Sequence, residues 1–290
     1  MSSSALAARD VPSLAELRVL TLNLWAHQGA WPERRAVLIN GLRDLRPDLV
    51  AFQEPIVRDT YDQALDLLGL DYHVAHPSRG LVATSDHQGA SIASRWPIQT
   101  LHEVDLHLTP RTLDFPCTTL IAEVVAPEPV GPLLFVNHLP SWQPAFELER
   151  EQQTVAAARA IEELARGRDL HVVLAGDLDA DPEASSIRFW TGRQALDGMS
   201  VCYRDAWESA HPGEPGHTFT PRNPLMAAAN WDWPFQRIDY IFVRCGDRGQ
   251  PTLAITACEL AFDEPVDGVW ASDHFGVLAV LALPTRGPRP

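Results

Sequence analysis

Six apolar runs in this chain meet, at one end, a polar residue of the kind that binds ions or moves protons. TLNL places Asn23 near the end of the first run and VAFQE places Glu54 just after the second. LLFVNH ends on His138 and HVVLAGD ends on Asp177. In RIDYIFV, Asp239 sits at the head of an apolar stretch, and Asp273-His274 immediately precedes FGVLAVLAL. Short apolar runs without polar interruption read as buried strands. Polar groups repeated at strand ends converge on one rim of a sheet, where rigid elements support a site. Singly, each has a plainer explanation: Asp and Asn form turns after strands, and a lone His138 would be a satisfied structural histidine. Six together are not explained that way. Asp239 resists it most, because Ile238, Tyr240, Ile241 and Phe242 surround it, and a buried carboxylate needs a partner or a metal.

The rest of the chain reads as strands with few helices. Residues 18–24 and 48–52 are predicted strands around a helix that Pro32 opens, Leu38, Leu42 and Leu45 pattern, and Pro47 stops. Residues 61–68 are a predicted helix. Strands are expected at 72–75, 90–94, 100–106, 118–125 and 133–136. A long helix follows over 144–165, with Leu148, Val155, Ala158, Ile161 and Leu164 as its apolar stripe and Gly167 as its stop. A strand at 171–175 precedes a turn-rich stretch, 195–236, with little periodicity. The last strands fall at 237–243, 252–258 and 277–283. Strands that do not strictly alternate with helices predict two packed sheets with helices outside. Residues 1–16 read as a loose tail and 17–290 as a single domain.

Composition narrows the chemistry. Twenty-three basic against 38 acidic residues give a net charge of −15, which disfavours affinity won by neutralising many phosphates along a duplex. A nuclease is not excluded, because a local metal site inverts the field where it matters. Every basic residue is arginine, and no basic stripe with interleaved aromatics marks an extended nucleic-acid track. The four cysteines, Cys117, Cys202, Cys245 and Cys258, lack CxxC spacing and read as scattered, reduced thiols. The longest apolar run, 275–283, is half a membrane span at most. Residues 1–11 show no secretion signal, so the expected location is the cytoplasm. The absence of a GxxxxGK[ST] loop, a GxSxG elbow and an HExxH helix leaves covalent serine catalysis and zinc peptidase chemistry unsupported.

TLNLW, AFQEP, GASIASRWPI, FVNHL, AGDLDA, RIDYIFV and SDHFGV, in this order, resemble the endonuclease/exonuclease/phosphatase superfamily. The resemblance runs from about residue 18 to 283. It implies a four-layer α/β/β/α sandwich of two facing, mostly antiparallel sheets, with the site at one edge. It also implies Mg2+- or Mn2+-dependent hydrolysis of a phosphate ester. By that resemblance Glu54 is the main metal ligand, with Asn23 and Asp273 beside it, which suits an ion that wants oxygen ligands and keeps several waters. Asp177 orients or deprotonates the attacking water. His138 bonds a phosphate oxygen or acts as leaving-group acid, and His274 contacts the scissile phosphate with Asp239 fixing its ring. Position 179 is usually Asn; Asp179 here is either a further metal ligand or a like charge that weakens phosphate binding, and the first is preferred. The family's carboxylate partner for the first histidine has no candidate in residues 89–98.

Substrate contact falls to Trp25, Trp142 and Trp231, near the motifs in a chain with nine tryptophans, and to Arg222. The leading expectation is a phosphodiesterase or phosphatase acting on a small or lipid-like substrate. The alternatives are a DNA or RNA nuclease and a non-catalytic binding module that keeps the fold.

Overall fold

The computed structural model describes residues 16–78, 89–228 and 236–284. All but the last residue of the expected N-terminal tail, and Trp231, lie outside the described residues. Along the chain β1 (Leu17–Asn23) leads to α1 (Trp31–Leu45) and β2 (Leu49–Gln53). A two-residue hairpin, β3 (Val57–Arg58) and β4 (Tyr61–Asp62), precedes α2 (Gln63–Leu68), β5 (His73–Ala75), β6 (Ala90–Ser94) and β7 (Ile98–Asp105). Then come β8 (Thr118–Val125), β9 (Pro132–Leu139), α3 (Glu147–Ala165), β10 (His171–Asp177) and α4 (Ser185–Trp190). The chain closes through β11 (Tyr203–Asp205), α5 (Ala206–Ala210), α6 (Pro224–Ala228), β12 (Asp239–Arg244), β13 (Ala254–Ala261) and β14 (Gly276–Ala282).

Two six-stranded sheets result, ordered β13-β14-β1-β2-β6-β5 and β11-β12-β10-β9-β8-β7. Among the described residues only β1–β2 and β9–β10 pair in parallel, so both sheets are mostly antiparallel, as expected. Val19, Leu49, Ile92, Phe135, Val173 and Ile241 fill the space between them. Leu20, Leu22, Val50 and Phe52 point the other way and meet Leu38 and Leu42 of α1. Val136, Val172 and Leu174 meet Val155 and Ile161 of α3 and Trp190 of α4. Each central strand is covered on both faces, which is why it reads as an unbroken apolar run. The four layers are helix, sheet, sheet and helix.

α1 carries Pro at its first turn and ends on Arg46 in the left-handed region (φ 45°), just before Pro47. α3 departs from its expected stripe: Val155, Ala158 and Ile161 are buried, but Leu148 is 60% exposed. The first half of its buried face is polar instead, with Glu149, Arg150, Gln153 and Thr154. Gln153 accepts from the Ser141 N–H and donates to Leu106 O and Ser141 Oγ, each at 2.9 Å. Arg150 donates to Ser141 O at 3.0 Å and Gln143 O at 2.8 Å. That half of the helix buries backbone of the turn after β9, and buried carbonyls require donors rather than methyl groups.

Candidate active site

Register brings the functional strand ends together. In the first sheet Asn23 pairs with Gln53, so Asn23 and Glu54 end side by side. In the second, Asp177 at the end of β10 lies opposite Asp239 at the start of β12. The sheets are tied at this end by Asn23 Nδ2 donating to Asp177 Oδ2 at 2.9 Å, with Glu54 Oε1 at 3.4 Å from the same nitrogen. His274 Nδ1 lies 3.0 Å from Asp239 Oδ2 and 3.8 Å from Asp177 Oδ2, and the Phe219 ring packs on it at 4.8 Å. Asp179 donates its backbone N–H to Asp177 Oδ1 at 3.3 Å. Ser272 donates its hydroxyl to Asn23 O at 2.7 Å and lies 3.2 Å from Asp273 Oδ1. Seven of the expected residues, Asn23, Glu54, Asp177, Asp179, Asp239, Asp273 and His274, therefore meet at one end of the sandwich.

His138 is placed differently. Its neighbour Asn137 faces the first sheet, donating to Phe52 O and Ser91 O and accepting from Gln53 Nε2. Alternation then turns His138 to the helix side, where its ring meets Trp190 edge-on at 5.9 Å and Nδ1 pairs with Thr119 Oγ1 at 2.7 Å. Its orienting partner is a hydroxyl, not a carboxylate, and no hydrogen bond joins it to the cluster among the described residues. Its Nε2 is buried without a hydrogen-bond partner. Gly176 makes the strand approach possible: a Cβ there would stand 2.1 Å from His138 O.

Backbone geometry also marks the site. Trp25, Ala26, Glu54 and Asp179 all have φ between 43° and 58°, a region costly for residues other than Gly and Asn. Glu54 is held there by its N–H, which donates to Gly89 O at 2.7 Å. Gly89 itself (φ 89°) leaves no room for a Cβ, which would stand 2.3 Å from Pro116 O.

The electrostatics are those of an acid cluster. Burial lifts the Asp177 carboxyl well above the ordinary range, and the charges of Asp179 and Asp239 add to it. Burial likewise pushes Asp179 up to about 7, against the pull of Arg150 and His274, and Asp273 up to about 6. Burial opposes charge on His274, but Asp239, Asp177 and Asp273 together hold its pKa well above the usual histidine value. His138 is pushed down to about 3 by burial alone, so it is neutral. Asp177, Asp239 and His274 each offer a ligand atom within 4.8 Å of the others, and Asp239 Oδ1 is buried without a hydrogen-bond partner. Carboxylates crowded to the point of suppressing one another's ionisation fit a divalent cation, which relieves both burial and repulsion.

Four residues support the site in roles the sequence does not show; two of them, Thr218 and Asn223, lie in the 217–224 loop that the sequence offers for substrate contact. Arg34 is 1% exposed and donates to Leu24 O, Gln28 O and Ala271 O, tying the loop after β1 to the loop before Asp273. Its guanidinium lies 5.0 Å from the Trp25 ring and 5.5 Å from the Trp31 ring. Burial lowers its pKa to about 10 while Asp273 and Glu54 favour its charge. The signal was present: Arg34, Leu38 and Leu42 share one helix face at four-residue spacing. Thr218 Oγ1 accepts from the N–H groups of Ile238 and Asp239, Asn223 donates to Ser272 O and Asp273 O, and Thr119 holds His138.

Of the expected substrate contacts, Trp25 is half-buried beside Asn23, whose Oδ1 accepts its backbone N–H at 2.9 Å. Trp142 is 37% exposed and follows β9 at the site end of the second sheet. Arg222 pairs with Glu264 at 3.1 Å and stands 5.8 Å over the Phe275 ring.

The chain belongs to the Endonuclease/Exonuclease/phosphatase family, whose model matches residues 20–274. The class so defined is that of phosphoric ester hydrolases. Among solved structures, D. rerio TDP2 complexed with a single-strand DNA product is 20% identical. That match covers 92% of this chain and 98% of that one, with a TM-score of 0.68. The human Nocturnin catalytic domain with bound sulfate is 15% identical over 93% and 95%, with a TM-score of 0.70. An endonuclease/exonuclease/phosphatase from Bacteroides vulgatus is 19% identical over 93% and 100%, with a TM-score of 0.67. At these identities the likeness is one of fold. No curated protein matches the sequence. No helix among the described residues is long and apolar enough to cross a membrane.

Proposed function

We propose that this chain hydrolyses a phosphodiester or phosphomonoester of a small or lipid-like molecule, aided by Mg2+ or Mn2+. The observation that carries the reading is the hydrogen-bonded line Glu54–Asn23–Asp177, joined through Asp177 to the His274–Asp239 pair. Glu54, Asn23 and Asp273 would hold the ion, which supplies Lewis-acid stabilisation of charge on the phosphoryl oxygens. Asp177 orients the attacking water and takes its proton. Burial and the neighbouring carboxylates raise the Asp177 pKa, the Asn23 amide works against them, and a bound cation would favour the ionised form that this step needs. Asp239 accepts from His274 Nδ1, which fixes the ring and directs Nε2 to a phosphoryl oxygen. His138 faces the helix side and bonds Thr119, so the reading rests on neither of its two expected roles. A ring titrating near 3 carries no proton for a leaving group at neutral pH.

The substrate class rests on the rim. Arg111 and Arg222 are each engaged by a carboxylate, Glu149 and Glu264 respectively. Leu108, Leu113 and Trp142, in the β7–β8 and β9–α3 connections, are 45%, 58% and 37% exposed. An apolar rim with its arginines engaged supports a compact or lipid-like ester over a long polyanion. A nuclease is the second reading, favoured by the fold shared with TDP2, which was solved with a single-strand DNA product. The test is hydrolysis of bis-p-nitrophenyl phosphate, a choline phospholipid and supercoiled plasmid, each with Mg2+, Mn2+ or EDTA. Metal-dependent release from the first two is expected. Plasmid nicking alone would select the nuclease reading.

A further inference from the structure

Two of the thiols that read as scattered in sequence face each other in the fold. β11 runs antiparallel to β12 with Tyr203 opposite Arg244. One step outward along that ladder Cys202 comes opposite Cys245, and the Cys245 N–H donates to Cys202 O at 2.9 Å. Residues opposite each other across an antiparallel pair present their side chains on one face. In a hydrogen-bonded pair the Cα atoms are about 5.5 Å apart, inside the roughly 4.4–6.8 Å that a disulfide spans. Cys202 is exposed and Cys245 is 9% exposed. Cys117 and Cys258 are buried on β8's approach and on β13, and Cys117 pairs with Ser141 Oγ.

We propose that Cys202 and Cys245 are a cross-strand dithiol that a hydroperoxide closes to a reversible disulfide. Exposed Cys202 reacts first: its sulfur takes the terminal oxygen of the peroxide as the O–O bond breaks, giving a sulfenic acid and releasing water or an alcohol. The Cys245 sulfur then displaces that hydroxyl, the S–S bond forms, and the Cys245 proton leaves with the hydroxide as water. Two thiols lose two electrons and two protons, and the peroxide oxygens gain them. Burial, with the Cys202 sulfur beside it, pushes the Cys245 thiol up to about 12, which assigns it the second step.

The bond would close the base of a long excursion. Between the two cysteines lies the stretch with the least periodicity in the sequence, and it delivers Thr218 and Asn223 to the backbone around Asp239 and Asp273. A cross-link that closes a loop of this length removes freedom chiefly from the unfolded chain, so it should act on stability before it acts on the site.

The experiment treats the full chain with hydrogen peroxide, then counts thiols with a maleimide after denaturation and maps peptides without reductant. The expected result is loss of two of the four thiols, a linked peptide pair holding Cys202 and Cys245, and reversal by a dithiol reductant. The melting temperature should rise by about 5 °C or more on closure, and Cys202→Ser, a surface change, should abolish the rise. Any of three results would overturn the proposal: four thiols still free, oxidation of Cys202 to a sulfinic acid with Cys245 unreacted, or disulfides only between molecules.

Discussion

Replacing Asp179 by Asn keeps the shape of the side chain and removes one charge from the acid cluster. Burial pushes the Asp179 carboxyl from 3.8 up to about 7. A rise of roughly 3 units corresponds to about 4 kcal/mol of preference for the neutral form. Halving this for the part of the carboxylate that water reaches leaves about 2 kcal/mol. A carboxyl whose folded pKa is raised contributes its stability below the unfolded value, and that stability is lost as pH rises from about 4 through about 7. Without divalent ions, Asp179→Asn should therefore melt about 4 °C above wild type at pH 8 or more, and the gap should shrink at pH 5. Calorimetry in EDTA at the two pH values reads this directly. Adding Mn2+ at pH 8 should reverse the order if Asp179 is a ligand, since an ion that binds only the folded state stabilises it in proportion to its affinity. A variant no more stable than wild type at pH 8, or equally advantaged at both pH values, would refute the account of this cluster. Reversal absent with Mn2+ would refute the ligand role alone.

Other perturbations reach different parts of the molecule. Glu54→Ala removes the carboxylate proposed as the main ion ligand and should lower turnover about a thousandfold; near-normal rates at saturating Mg2+ would sink that assignment. Arg34→Met strands three buried carbonyls and should cost about 3 kcal/mol or more in urea unfolding, with a weaker response of melting temperature to Mg2+; a loss under 1 kcal/mol would mean water replaces the guanidinium. Asn137→Leu removes the amide that bridges the sheets behind the site and should cost about 3 kcal/mol by the same measure, and a neutral substitution would show the sheets to be held by apolar contact alone.

Much of this was readable from the chain because strands covered on both faces are apolar throughout, so a polar residue at one end stands out. That is how Asn23, Glu54, Asp177 and Asp239 could be found. What could not be read is whatever depends on which backbone is buried beneath a helix. Leu148 looked like core and is on the surface, while Gln153 and Arg150 looked like surface and are inside, because α3 covers carbonyls there rather than methyl groups. The motif alone would aim His138 at the site, but the strand's alternation is the stronger constraint and turns its ring to the helix side. The pairing of Cys202 with Cys245 depends on the register of β11, a three-residue strand whose pattern is too short to read.

Arg34, Arg150, Gln153, Asn137 and Asn223 hold the connections around the site almost entirely by donating to main-chain carbonyls. A carbonyl is the same whatever side chain its residue bears. The rim's residues are thus free to vary without loosening the loops that display them, and a lineage carrying this scaffold can trade one leaving group for another by point substitution. Selection for a new ester would be expected to leave its record at Leu108, Leu113, Trp142 and Arg222, with the donors beneath them unchanged.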